Sequence, residues 1–178
     1  QYSIYRRILT MLTTMMDRPL LISSLLWRAE HVFADRVGVS CESGPESGHG
    51  ADEFSYRDMG QAARRLAGTF DELGIGVGTR VATLAWNTFR HLVAYYAVPG
   101  TGAILHTVNH RISADHIAYS MDAAGDEVVL VEADLLPLLM EILDRLPRVR
   151  HVVVLGDDAV AGERAVRQLS ADQHFGEV

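Results

Sequence analysis

Cysteine is all but missing from this chain. Cys41 is the single thiol in 178 residues, so no internal disulfide can form, and a reducing compartment, the cytoplasm, is the expected location. A long apolar run is also missing. The most hydrophobic N-terminal stretch, Ile8–Met16, is interrupted by Thr10, Thr13 and Thr14 and falls well short of the roughly 20 residues that span a bilayer. Arg6 and Arg7 precede it as in a signal peptide, but Met15-Met16-Asp17-Arg18-Pro19 offers no small-residue cleavage site. Positive charge is in deficit: 16 Lys and Arg stand against 23 Asp and Glu, a net charge of −7, which removes the electrostatic reason to expect nucleic acid binding. There is no Gly-x-Ser-x-Gly elbow, no phosphate-cradling Gly/Lys loop and no His-Glu-x-x-His. No repeat or low-complexity block is evident. What remains is ordinary globular composition, 48% hydrophobic and 22% charged, on a chain long enough for one domain.

The most informative stretch is 73–112, LGIGVGTRVATLAWNTFRHLVAYYAVPGTGAILHTVNHRI. It predicts a strand at Arg80–Ala85, a helix capped by Asn87 and stopped by Pro99-Gly100, and a second strand at Ala103–Val108. That is a βαβ unit, which requires a parallel sheet covered by helices. Upstream, Asp58–Leu73 is the clearest helix: Met59, Ala62, Ala63, Leu66, Ala67, Phe70 and Leu73 share one stripe, and Gly74 stands where a C-terminal glycine ends a helix. Leu20–Phe33 also reads as helical. Cys41–Asp52, with Gly44, Pro45, Gly48 and Gly50, reads as a loop, hairpin or insertion. Downstream, Ser113 should cap a helix closed by Gly125, Glu127–Val131 should be a strand, and Asp134 should cap a helix running to Leu146 with Pro137 in its first turn. His151–Leu155 is a last strand, ended by Gly156-Asp157-Asp158. Residues 1–18, a flexible lead-in, and the tail 159–178 show no clear pattern. The alternation predicts an α/β fold, a layered and mostly parallel sheet with helices on both faces.

Each candidate site has a plainer reading that wins. Gly74, Gly76 and Gly78 form GIGVG, but a dinucleotide loop must leave a strand and open a helix so that the helix N-terminus meets the phosphates. Here the order is helix, then strand, so the glycines are a cap and a turn. Gly100-Thr101-Gly102 fails on the same ground. His106, His110 and His116 lie on a strand end, a loop and a first helical turn, with no Cys or fixed-spacing carboxylate to complete a metal site. His31, His91 and His151 stand alone. Arg64-Arg65 reads as a solvated helix edge, Asp157-Asp158 as a strand-ending turn, and Trp86 and Tyr95-Tyr96 as packing residues. No catalytic, cofactor-binding or metal residue is assigned.

Several segments together resemble the N-terminal part of the AMP-forming acyl-CoA synthetases of the adenylate-forming ligase superfamily. Phe54-Ser55-Tyr56-Arg57-Asp58 resembles the Thr-Tyr-x-Glu-Leu entry to that family's first long helix, and Gly78-Thr79-Arg80-Val81-Ala82 its Gly-Asp-Arg-Val-Ala strand start. The most specific piece runs from Ala97 to Asn109. Within it, Ala103-Ile104-Leu105-His106-Thr107-Val108-Asn109 resembles the medium- and long-chain fatty-acid members. Thr14-Met15-Met16-Asp17 and Leu25-Leu26-Trp27-Arg28-Ala29 match that subgroup's opening. The chain departs from the pattern at Met59, Thr79, His110 and His116, where Leu, Asp, Pro and Glu are usual. The last change removes a capping box with Ser113.

The resemblance implies that residues 19–178 are the N-terminal subdomain of an AMP-binding ligase domain, cut before its phosphate-binding loop. The full enzyme would join a medium- or long-chain fatty acid to CoA at the expense of ATP, through an acyl-adenylate with Mg2+ offsetting phosphate charge. The expectation for this piece alone is that it is inactive, binds no cofactor tightly and self-associates through an open sheet edge and an uncovered apolar face. The resemblance also suggests a homodimer. Peripheral membrane contact would serve to collect fatty acid, although no basic amphipathic helix was evident to mark it. The competing reading is a non-catalytic binding or regulatory module on the same scaffold. A nucleotide-binding oxidoreductase is disfavoured by the order around GIGVG.

Overall fold

Side chains alternate between the two faces of a strand, so the apolar strands here determine which helices each face must meet. The computed structural model describes residues 19–41, 51–155 and 166–168. The lead-in 1–18, most of the 41–52 loop, the Gly156-Asp157-Asp158 turn and the rest of the tail lie outside the described residues. The chain runs through α1 (Ile22–Val32), β1 (Val37–Cys41), β2 (Ala51–Ser55), α2 (Tyr56–Glu72), β3 (Arg80–Leu84), α3 (Phe89–Gly100), β4 (Ile104–Thr107), α4 (Ala114–Ala124), β5 (Val128–Glu132), α5 (Leu136–Ile142), β6 (His151–Leu155) and β7 (Val166–Gln168).

The main sheet has the order β4-β3-β5-β6-β7. Its first four strands are parallel, and β7 pairs antiparallel with β6, Val153 opposite Val166. β7 comes from the tail that carried no pattern. β1 and β2 form a separate antiparallel pair, with Cys41 opposite Ala51; the residues between those two lie outside the described residues.

Strand alternation produces three layers. Val81, Val128 and Leu130 meet Phe70, Ala94 and Val98 of α2 and α3 on one face. Ala82, Leu84, Val129 and Val131 meet Ile117, Met121, Leu139 and Ile142 of α4 and α5 on the other. β5 is buried at all its positions, as a central parallel strand must be. Fully burying one of these large side chains stabilises by about 1.5–3 kcal/mol. α1 adds an outer layer on the first face, where Leu26 reaches Ala63, Val93 and Ala97. Among the described residues no helix is long and apolar enough to cross a membrane.

Four local expectations need correction. α2 starts at Tyr56 rather than Asp58, because Ser55 and Asp58 form a capping box: each side chain accepts from the other's backbone N–H. The cap of α3 is Thr88, not Asn87. A turn from Thr88 N–H to the Trp86 carbonyl delays the helix by one residue, and the Thr88 hydroxyl accepts from His91 N–H. Pro99 does not stop α3 but lies in its last turn, and the chain reverses at Gly102, φ 79°. Asp134 caps nothing. The expected long helix is a 3-10 turn (Ala133–Leu135), α5 and a second 3-10 turn (Leu143–Arg145), with Pro137 in the first turn of α5 as expected.

Candidate functional site

Strand order locates the crevice of an open α/β sheet. The loop leaving β3 leads to α3 on one face, whereas the loop leaving the adjacent β5 leads to α5 on the other. Where neighbouring connections diverge in this way, a crevice opens at the carboxyl ends of the strands, and ligands of such sheets bind there. The GIGVG and Gly100–Gly102 turns lie at the opposite end, before β3 and β4, where Gly78 N–H donates to the Gly102 carbonyl at 3.1 Å. They are turns joined to each other at the amino end of the sheet, which a phosphate loop would not occupy.

The carboxyl ends of β3 and β5 hold a polar cluster. Glu132 closes β5 with a side chain only 5% exposed. Its Oε1 accepts from the Thr88 hydroxyl at 2.8 Å, and its Oε2 lies 3.4 Å from Arg90 Nε. One buried carboxylate thus ties the cap and first turn of α3 to the end of β5. Beside it, Trp86 Nε1 donates to Asp134 Oδ2 at 2.7 Å, which is where the Asp134 carboxylate goes instead of capping. The buried His91 is held at both nitrogens: Nδ1 is 3.0 Å from the Trp86 carbonyl and Nε2 is 3.0 Å from the Thr83 hydroxyl. A carbonyl can only accept, so Nδ1 carries the proton and Thr83 donates to Nε2. Burial lowers the His91 pKa, only partly offset by the carbonyl contact, and favours the neutral ring.

His110 caps the crest. Its ring meets Trp86 edge-on at 4.2 Å, and the Arg111 guanidinium sits 6.0 Å over the same indole. Burial, aided by the Arg111 charge, lowers the pKa of His110. The cluster sets paired acids, Glu132 and Asp134, around an indole. It can hold α3 and the 84–88 loop rigidly, but it presents no activated nucleophile.

The remaining candidates separate. His106 on β4 donates from Nδ1 to the buried Asp126 carboxylate at 2.7 Å, with Ser120 Oγ 3.4 Å from Nε2. Burial raises the Asp126 pKa against the opposing effect of that bond. His116 Nδ1 lies 2.8 Å from the Ser113 hydroxyl that caps α4, a contact to the cap's side chain and not the backbone bond of a capping box. The three histidines therefore share no centre, and the described residues contain no group of three or more His, Cys, Asp and Glu able to hold a metal ion. Arg64 is more than a solvated edge: it bonds both carboxylate oxygens of Glu30 on α1, one at 2.6 Å. This contact depresses the Glu30 pKa. Arg65 is exposed. His31 stacks on Trp27, His151 is buried, and Tyr96 packs between helices. Tyr95 tilts onto His91 and, with Phe54, Thr88, Phe89 and Leu92, lines an open groove of about 240 Å3, below the roughly 300 Å3 at which ligand pockets begin. Asp157 and Asp158 lie outside the described residues.

Glu132, Arg90, Thr88 and Asp126 were missed by sequence reasoning. One signal was available: an acidic residue directly ending an all-apolar strand, Val128-Val129-Leu130-Val131-Glu132, needs a buried partner.

Comparison with known proteins agrees with this architecture. The chain is 42% identical over 161 residues to a long-chain-fatty-acid–CoA ligase of Thermus thermophilus, covering 90% of this chain and 29% of that protein. It is 37% identical over 145 residues to a medium-chain-fatty-acid–CoA ligase of Ectopseudomonas oleovorans, covering 82% of this chain and 26% of that protein. The chain therefore spans less than a third of the length of these relatives. The solved structure of a Mycobacterium tuberculosis fatty acyl CoA synthetase superposes with a TM-score of 0.65 at 22% identity, over 88% of this chain and 30% of that one, a likeness of fold. Residues 26–176 match the family described as AMP-binding enzyme, and to that family this chain belongs.

Proposed function

We propose that this chain forms the opening part of the ligase domain of a cytoplasmic fatty-acid–CoA ligase, which joins fatty acid to CoA through an acyl-adenylate using ATP and Mg2+. The observation that carries the reading is the 42% identity to the Thermus thermophilus ligase along 90% of this chain. On this reading the piece by itself is expected to be inactive. Its own part is architectural. β3, β5 and β4 build the floor of the crevice, and Glu132, Thr88 and Arg90 fix the start of α3 at its edge. Among the described residues β4 is an edge strand of the sheet, with Ile104 half exposed, and would give a homodimer a surface to use. Peripheral membrane contact would bring fatty acid to the enzyme.

The test is a chimera in which this chain replaces the matching part of the Thermus thermophilus ligase, compared with the chain alone. Pyrophosphate release is measured with acetate, octanoate, laurate and palmitate. The chimera should release pyrophosphate with the longer acids, and the chain alone should match the no-enzyme blank. A folded chimera inert with every acid would overturn the ligase reading in favour of a non-catalytic module, whereas turnover by the chain alone would overturn its inactivity. Sedimentation of the active chimera tests the dimer, and flotation with anionic vesicles tests the membrane contact.

A further inference from the structure

We propose that Ser120 is a nucleophile activated by His106, within an aspartate–histidine–serine relay that accepts activated, uncharged acyl groups such as those of aryl esters. The relay lies along β4, an edge strand among the described residues. Its acid, Asp126, precedes β5, at the end of the sheet opposite to the crevice. His106 Nδ1 is 2.7 Å from Asp126 Oδ2, and His106 Nε2 is 3.4 Å from the Ser120 hydroxyl. A carboxylate only accepts, so Nδ1 carries the proton and the Nε2 lone pair of the neutral ring faces Ser120. That order of groups, carboxylate on one ring nitrogen and hydroxyl on the other, recurs in serine hydrolases of unrelated folds. The 3.4 Å separation is longer than a good hydrogen bond, as such nucleophile–base pairs often are before substrate tightens them.

Three elements hold the three groups. Asp126 follows α4 through Gly125, φ 72°, and its backbone N–H donates to the Met121 carbonyl at 3.1 Å. Its side chain is fully buried, and Oδ1 has no hydrogen-bond partner among the described residues. His106 and, from β3, Arg80 stabilise its charge. A buried carboxylate so thinly compensated gains when its neighbour becomes a cation. Proton transfer from Ser120 to His106 makes that cation, so the buried charge favours the transfer. His106 keeps 26% of its side chain exposed and Ser120 is half-buried, which leaves both within reach of a small molecule. Ile104, on the same face of β4 as His106, is half exposed, and Tyr119 beside Ser120 is largely exposed. These apolar neighbours suit an uncharged acyl group. In the reaction, Ser120 Oγ bonds to the acyl carbon while its proton passes to Nε2. The C–O bond to the leaving phenolate breaks, and the phenolate takes that proton. Water, deprotonated by the same ring, then attacks the acyl-serine. The carboxylic acid leaves and the proton returns to Ser120 Oγ. The inference stands independently of the ligase reading.

Two measurements on the full chain test it. A fluorophosphonate probe should phosphonylate Ser120 with loss of fluoride, the position read by peptide mass spectrometry. His106→Gln should slow this labelling on the order of 100-fold, and Asp126→Asn at least about ten-fold, in variants whose urea midpoints show them folded. The labelling rate should level off between about pH 8 and 9.5, because the base is then fully available. 4-Nitrophenyl acetate should be cleaved at least about ten-fold faster by the unaltered chain than by Ser120→Ala. Labelling confined to other residues overturns the proposal, as does equal ester cleavage by Ser120→Ala. So does an unchanged labelling rate in folded His106→Gln. A rate that climbs about ten-fold with each pH unit marks attack driven by hydroxide alone and overturns it as well. Should Asp126→Asn fail to fold, the labelled position and the pH profile of the unaltered chain still decide.

Discussion

Replacing Glu132 by Ala tests whether the crevice cluster is a real energetic unit. The side chain is 5% exposed, accepts from the Thr88 hydroxyl and lies 3.4 Å from Arg90 Nε as an ion pair. Removing it takes away the acceptor for the residue that caps α3 and leaves a guanidinium, 18% exposed, without its carboxylate. Breaking a buried pair from one side costs about 3–5 kcal/mol. Arg90 keeps some access to water, so the expectation is the lower end, about 3 kcal/mol. With a urea slope of about 2 kcal/mol/M, the unfolding midpoint should fall by about 1.5 M. Thr88→Ala should cost about 1–2 kcal/mol as a lost cap and hydrogen bond. The double variant should fall short of the sum by at least about 0.5 kcal/mol, because both changes sever the same contact. Glu132→Leu with Arg90→Met should recover most of the loss, since the penalty is that of an unpaired charge and not of lost volume. A midpoint shift under about 0.25 M for Glu132→Ala, or strict additivity with Thr88→Ala, would refute this reasoning.

Other outcomes follow from the same geometry. Burial depresses the pKa values of His91, His110 and His151, so below about pH 6.5 the unfolded chain takes up protons that the folded one refuses. The stability they contribute is complete above that pH and is lost as pH falls toward the folded values. The urea midpoint should drop between pH 7.5 and 5.5, and His91→Gln should shrink the drop. An unchanged midpoint across that range would contradict the burial argument. Gly102→Ala should lower stability by about 1–2 kcal/mol, because φ is 79° and the new Cβ would lie 2.8 Å from Val77 Cγ2. Gly76→Ala, in open space without a positive φ, should be neutral, and equal melting temperatures for the two variants would count against the assignment. Trp86→Phe keeps the ring but loses the 2.7 Å bond to Asp134, and should cost about 1 kcal/mol in urea titration. A larger loss would place the weight on packing.

Much of the fold was legible because it rests on local periodicity. Val128–Val131 is apolar without a break and Val81–Leu84 is interrupted only by Thr83, which suits strands covered on both sides, and the stripe from Met59 to Phe70 suits a helix on one face. The glycine turns were read correctly from order alone, since helix-before-strand already forbids a phosphate loop there. The caps were less legible. Asn87 and Thr88 are both good caps, and only the turn to the Trp86 carbonyl selects the second. Asp134 had the composition of a cap, but the indole of Trp86 was a better partner for its carboxylate.

The amino-acid sequence alone determined the α/β class, the order of elements from Tyr56 to Leu155 and the kinship with acyl-CoA synthetases, because each is written in residues a few positions apart. Tertiary structure alone decided where the crevice lies, that Glu132 clamps Thr88 across 44 positions, that Asp126 finds His106 and that the tail adds an antiparallel strand. Those depend on strand order, which brings distant residues together by burying shared apolar faces and which no local spacing records.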